Sequence, residues 1–220
     1  MIIVRKLDIM LKSRTFMYHI FLPLGHSEKS RSLVTLLGVH LDDTLTFDNH
    51  INELVSSCYY HIRNIGKVKS ILSQSHLETL LHSVISSKLD YCNIILYGIT
   101  KSNLNKLQKL QNAAARLVYK LPRRSRTSVS DLIRKLHWLR VDEHIIFKMM
   151  TIVYKFFTSN GPAFINHLLQ IDDCEKRSLK LEHFTSKYGK RSFRYAAPRF
   201  WNQLPSELRN QMCLKSFKKD

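Results

Sequence analysis

Acidic side chains are the scarce class in this 220-residue sequence: 17 Asp and Glu stand against 35 Lys and Arg, which leaves +18 at pH 7 with histidine neutral. So one-sided a balance argues against a cationic partner and for a polyanionic one. Glycine and proline are also few, six and five, which excludes collagen-like and low-complexity textures. The four cysteines, Cys58, Cys92, Cys174 and Cys213, stand far apart, with no C-x-x-C pair and no Cys/His knuckle spacing. Neither a disulfide framework nor a zinc site is expected, and a reducing compartment fits. No apolar run reaches the roughly 18 residues of a membrane span, and the stretch Met1 to Phe21 is broken by Arg5, Lys6, Asp8, Lys12 and Arg14. We therefore expect no membrane partner and an intracellular location, cytoplasmic or nuclear.

What is present is enough hydrophobic sequence, 44%, for a packed core. The cations are unevenly spread: residues 1–100 carry a net +2, 101–140 carry +10, 141–175 carry −3 and 176–220 carry +9. Two basic stretches flank an acidic one, which is the pattern of a binding surface rather than of uniform solubilisation.

Val34 to Leu41 reads as a strand leaving a sheet, before the turn-forming Asp42, Asp43 and Thr44. From Asp48, placed to cap, the apolar period becomes helical through Ile51, Leu54, Val55, Cys58, Ile62 and Ile65. Ser75 to Glu78 forms a capping box for a second helix to about Tyr97, with a break near Asp90. Ser102 opens a third, whose buried stripe is Leu104, Leu107, Leu110, Ala114, Leu117 and Val118, with Lys101, Lys106, Lys109, Arg116 and Lys120 on its other faces. Pro122 ends it at the basic loop Arg123, Arg124 and Arg126. A short helix near Asp131 to Leu136, an apolar one over Ile145 to Phe157 and another over 163–170 follow. Beyond Ile171 the chain is polar, basic and aromatic, and reads as a loop or short hairpin with a last helix from Ser206.

Five blocks then carry a resemblance. LLGVHLDDTLTFDNHI (36–51), KLDYCNIILYG (88–98), LNKLQKLQNAAARLVYKLPR (104–123), LHWLRVDEHIIFKMMTIVYKF (136–156) and GKRSFRYAAPRFWNQLP (189–205) resemble, in order, segments that follow the polymerase palm in the reverse transcriptases of non-LTR (LINE-like, jockey-type) retrotransposons. The resemblance implies a mainly α fold, a helical thumb-like bundle with a few short N-terminal strands left from a palm sheet. It divides the chain into a palm remnant (1–47), a thumb-like bundle (48–170) and a basic aromatic tail (171–220). In that family an aromatic-x-Asp-Asp pair and an earlier Asp bind the Mg²⁺ ions of RNA-directed DNA synthesis.

This chain departs from the pattern at that point. Its Asp42-Asp43 follows His40 rather than an aromatic, lies inside the first block, and is preceded only by Asp8 and Glu28; a turn is the reading for it. Asp172-Asp173 lacks the aromatic too. No catalytic residue, metal ligand or cofactor is assigned to the chain. The expected role is that of a fragment lacking the catalytic palm, which grips RNA, DNA or hybrid duplex through the phosphate backbone. The alternatives are a transposon relic without function, or a split-polymerase subunit partnered by a palm-bearing polypeptide. Candidate phosphate contacts are Lys106, Lys109, Arg116, Lys120, Arg123, Arg124 and Arg126, together with Lys190, Arg191 and Arg194 in the tail. There the interleaved Tyr188, Phe193, Tyr195, Phe200 and Trp201 suit either base stacking or anchoring in the core. Trp138 reads as core, and the eleven histidines show no ligand or triad spacing.

Overall fold

The computed structural model describes residues 33–122, 125–158, 161, 163–172, 177–211 and 213–218. The strands expected before Leu33 lie outside these, as do Asp8, Glu28, Arg123, Arg124 and Asp173. Among the described residues the fold is mainly α, with two short two-stranded antiparallel sheets. No described helix is long and apolar enough to cross a membrane. The chain divides into two compact units, whose described parts lie within 33–144 and 145–218.

In the first unit, the expected single strand is a hairpin. Strands β1 (Leu33–Leu36) and β2 (Val39–Asp42) pair antiparallel with Leu33 opposite Asp42 and Leu36 opposite Val39. Between them Leu37 and Gly38 both have positive φ, 49° and 78°, the geometry of a two-residue turn that matches strand twist. Gly38 signals that reversal, and a side chain there would meet strain although the space is open.

Helix α1 (Asp48–Val68) follows. Asp48 does not cap it; the cap is Phe47, left-handed at φ 61° with its side chain buried. Asp48 instead accepts a 2.7 Å hydrogen bond from Asn103 Nδ2. Helix α2 (Gln74–Leu81) starts earlier than the capping box implied, because the Ser73 hydroxyl accepts from His76 N. It passes through a π turn (His82–Ser86) into α3 (Ser87–Asp90). The expected break is real: Tyr91 is extended and Cys92 left-handed before the 3-10 turn Asn93–Leu96. Helix α4 (Lys101–Val118) is capped by Thr100, not Ser102. Helix α5 spans Val129–Lys135, and α6, Val141–Phe157, begins in this unit.

The stripes read from the sequence build the core: Cys58 and Ile65 of α1, Leu77 and Leu81 of α2, Ile85, Leu110, Ala114 and Val118 of α4, and Leu132, Ile133 and Leu136, with Trp138 half-buried against them. Each fully buried Leu or Ile here contributes roughly 1.5–3 kcal/mol by leaving water. Helices α1 and α4 run parallel, tied at three levels. Asn103 meets Asp48 at the start, Lys106 Nζ meets Asn52 Oδ1 at 2.8 Å one turn on, and a Cβ on Gly66 would sit 4.0 Å from Leu117 near the far end.

The second unit holds the rest of α6, a 3-10 turn (Ala163–His167), the hairpin β3 (Ile171–Asp172) and β4 (Ser178–Leu179), a 3-10 turn (Gly189–Arg191), α7 (Phe193–Gln203), α8 (Ser206–Arg209) and α9 (Leu214–Phe217). Helix α7 corrects the loop reading of this stretch. Pro198 lies inside it, a residue that ordinarily removes a hydrogen bond and breaks the pattern, yet burial of Phe193, Ala196, Ala197, Pro198 and Trp201 holds the helix. Trp201 is the anchor: it is 0% exposed, stacks on Phe157, and donates from Nε1 to Arg177 O at 2.7 Å. Asn202 reads the backbone of Leu179 in both directions, accepting from its N–H and donating to its carbonyl. Gly189 is required by proximity, since a Cβ would come within 2.8 Å of the Phe184 ring.

Candidate nucleic-acid interface

Helical phase places the cations of α4 together. At 3.6 residues per turn, Lys101, Lys106, Lys109 and Arg116 fall within an arc of roughly 140°, opposite the buried Leu107, Leu110, Ala114 and Val118. Lys109 is exposed, and so is Lys120 just beyond the helix, where its backbone turns left-handed at φ 53°. Arg126 is exposed in the following loop. Two predicted contacts carry structural duties as well. Arg116 donates to the carbonyls of Ser125 and Thr127, bracing that loop, and Lys106 bonds Asn52 across to α1.

Because α1 and α4 share one core on one side, their solvent faces look the same way. Arg63 and Lys67, both exposed on α1, therefore belong to the same solvent side as the cations of α4. Sequence reasoning passed over them, as residues 1–100 are nearly balanced in charge. The available signal was local: no Asp or Glu occurs between Glu53 and Glu78, while Arg63, Lys67 and Lys69 do. The acids of α1 sit at its other end, where Asp48 is held by Asn103 and Glu53 by His40 Nε2 at 2.6 Å. The face thus grows more positive toward the C-terminal ends of both helices.

In the second unit, Lys190 is exposed and Arg191 half-buried in the 3-10 turn. Arg194 forks onto Glu182, its Nε at 3.0 Å and Nη2 also in contact, so its charge is answered within the fold. Phe193 and Trp201 are core anchors rather than stacking platforms, whereas Tyr188 is exposed and Arg199 lies 4.2 Å over the Tyr195 ring. The first unit therefore carries the more coherent cationic face.

Compared with family models, with curated proteins and with solved structures, the chain matches none. Its function has to be argued from its own residues.

Asp42 does not fit the Mg²⁺ site of a polymerase. Both Asp42 oxygens are engaged by Thr44 Oγ1, Thr46 N, Thr46 Oγ1 and Phe47 N at 2.6–3.1 Å, which makes the residue the clamp of the turn into α1. Burial pushes its carboxyl up, but the hydrogen bonds from Thr46, Thr44 and Phe47 prevail and hold the pKa below the ordinary value. Among the described residues no three His, Cys, Asp or Glu are grouped to hold a metal ion.

Close by, His50 is buried and packs edge-on to His40 with ring centroids 6.0 Å apart. Burial lowers its pKa, His40 lowers it further, and Glu53 opposes both. The unfolded chain thus takes a proton near pH 6.5 that the folded chain resists. Stability is present above that pH and falls as pH drops below it. A urea midpoint that declines from pH 7.5 to 5.5, with a smaller decline in His50→Gln, is the expected result; equal declines would remove His50 as the cause.

Proposed function

We propose that this chain binds nucleic-acid duplex through its phosphates, using the joint face of α1 and α4, as the grip of a thumb-like region related to non-LTR retrotransposon reverse transcriptases. The reading is carried by the pairing of α1 with α4, two helices whose solvent faces bear Arg63, Lys67, Lys106, Lys109 and Arg116, with Lys120 and Arg126 in the stretch that follows α4. Contacts of this kind set position and affinity but carry no sequence information. Polymerisation is assigned to a palm-bearing polypeptide and not to these residues. An intracellular location, cytoplasmic or nuclear, belongs to the same reading, supported by four cysteines spaced without a disulfide or zinc pattern.

The test is binding of the chain to an RNA/DNA hybrid over a salt series. Five to seven phosphate contacts give a log–log slope of roughly −4 to −6, with little change when the base sequence is scrambled. Absence of binding at ~50 mM salt, or a slope near zero, would overturn the proposal.

A further inference from the structure

The loop joining α1 to α2 stands at the end of the first unit where the cationic face is strongest. Ile71 is 84% exposed there, the most exposed large apolar side chain among the described residues. Its position is built rather than loose. Ile71 N donates to Val68 O at 3.1 Å, closing a tight turn; the neighbouring Leu72 packs against the core; and Ser73 caps the next helix. With Leu72 pinned inward, Ile71 is turned out, beside the exposed Val68. Lys67 and Lys69 immediately precede this tip. Because α1 and α4 run parallel, with Gly66 against Leu117, the stretch after α4, with Lys120 and the Arg126 that follows it, emerges at the same end.

We propose that this end recognises the terminus of a nucleic-acid duplex, with Ile71 seated on the last base pair or the adjacent step and Lys67, Lys69, Lys120 and Arg126 on the phosphates around it. The inference rests on the phosphate-binding reading above and adds to it a preference for ends. The partner follows from charge and shape together: an exposed apolar tip at the cation-rich end of the unit complements an apolar base stack bordered by phosphates, and apolar side chains wedge at base steps in cationic settings. A prong on a closed turn also has little ordering entropy to lose on insertion.

The experiment compares an open-ended RNA/DNA hybrid with the same duplex closed by a hairpin loop at each end, and places 2-aminopurine at the terminal pair as a reporter of unstacking. The wild-type chain should favour the open end roughly tenfold, about what partial burial of one isoleucine supplies, and should raise the 2-aminopurine emission. Ile71→Ala, at a site exposed enough to leave the fold intact, should lose both effects while keeping the salt slope. Equal affinity for open and closed duplexes with binding otherwise intact, or an end preference retained in Ile71→Ala, would overturn the proposal and leave phosphate binding standing. Complete lack of duplex binding would sink both readings together. Vesicles containing phosphatidylserine serve as the competing partner: Ile71-dependent binding to them, without an Ile71 effect on duplex ends, would reassign the tip to a membrane surface.

Discussion

Replacing Lys67, Lys109, Lys120 and Arg126 together by glutamine is expected to weaken hybrid-duplex binding by two to three orders of magnitude at ~0.1 M salt and to flatten the log–log salt slope by roughly 3 to 4. The size follows from counterion release, since each lost phosphate contact removes a little under one released cation. The four were chosen because they are exposed and their side chains make no hydrogen bond or ion pair among the described residues. The fold should be untouched, with far-UV circular dichroism and melting temperature matching the wild type. Arg116→Gln would be a poorer probe, because it also releases the carbonyls of Ser125 and Thr127. Fluorescence anisotropy titrations at four or five salt concentrations read the effect directly. Unchanged affinity and slope in the fourfold variant would move the interface away from α1 and α4.

Trp201→Ala should unfold most of the second unit. The indole is wholly buried, stacked on Phe157 at 5.3 Å and tilted against Phe217 at 5.8 Å between centroids, and its N–H satisfies the Arg177 carbonyl. Truncating a core tryptophan costs about 3–5 kcal/mol, and the orphaned carbonyl adds to that. Such a loss takes a large share of the stability of a unit this small. Near-UV circular dichroism and limited proteolysis would show it, with cleavage appearing between residues 177 and 217. Trp201→Phe keeps the stacking without the hydrogen bond and should fall between the two. A Trp201→Ala chain that melts like the wild type would show that α7 is held by something other than this anchor.

The buried stripes of α1, α2 and α4 were legible because core positions recur at the helical period, and Leu107, Leu110, Ala114 and Val118 face inward as their spacing requires. Helix starts were less legible. Asp48, Ser75 and Ser102 are all good capping types, and in each case another residue does the work, because a cap is chosen by where the chain enters the helix and not by side-chain type alone. The hairpin at Leu37-Gly38 was hidden by its brevity: two four-residue strands around a two-residue turn look like one apolar run. Helix α7 was masked by Pro198, whose local cost is outweighed by burial that sequence spacing does not display. The cations of α4 were visible from charge alone. Arg63 and Lys67 join them only because two helices some fifty residues apart lie side by side, which is tertiary information.

The same pairing governs when the cationic face comes into being during synthesis. Antiparallel neighbours can zip together as soon as a short connection is made, but parallel ones must wait for the whole intervening segment. Asp48 and Asn103 stand 55 residues apart in sequence, so loop closure precedes any gain from the contact. A nascent chain that has released α1 but not α4 therefore displays Arg63, Lys67 and Lys69 without the cations of α4. The proposed grip is therefore assembled only once α4 has left the ribosome.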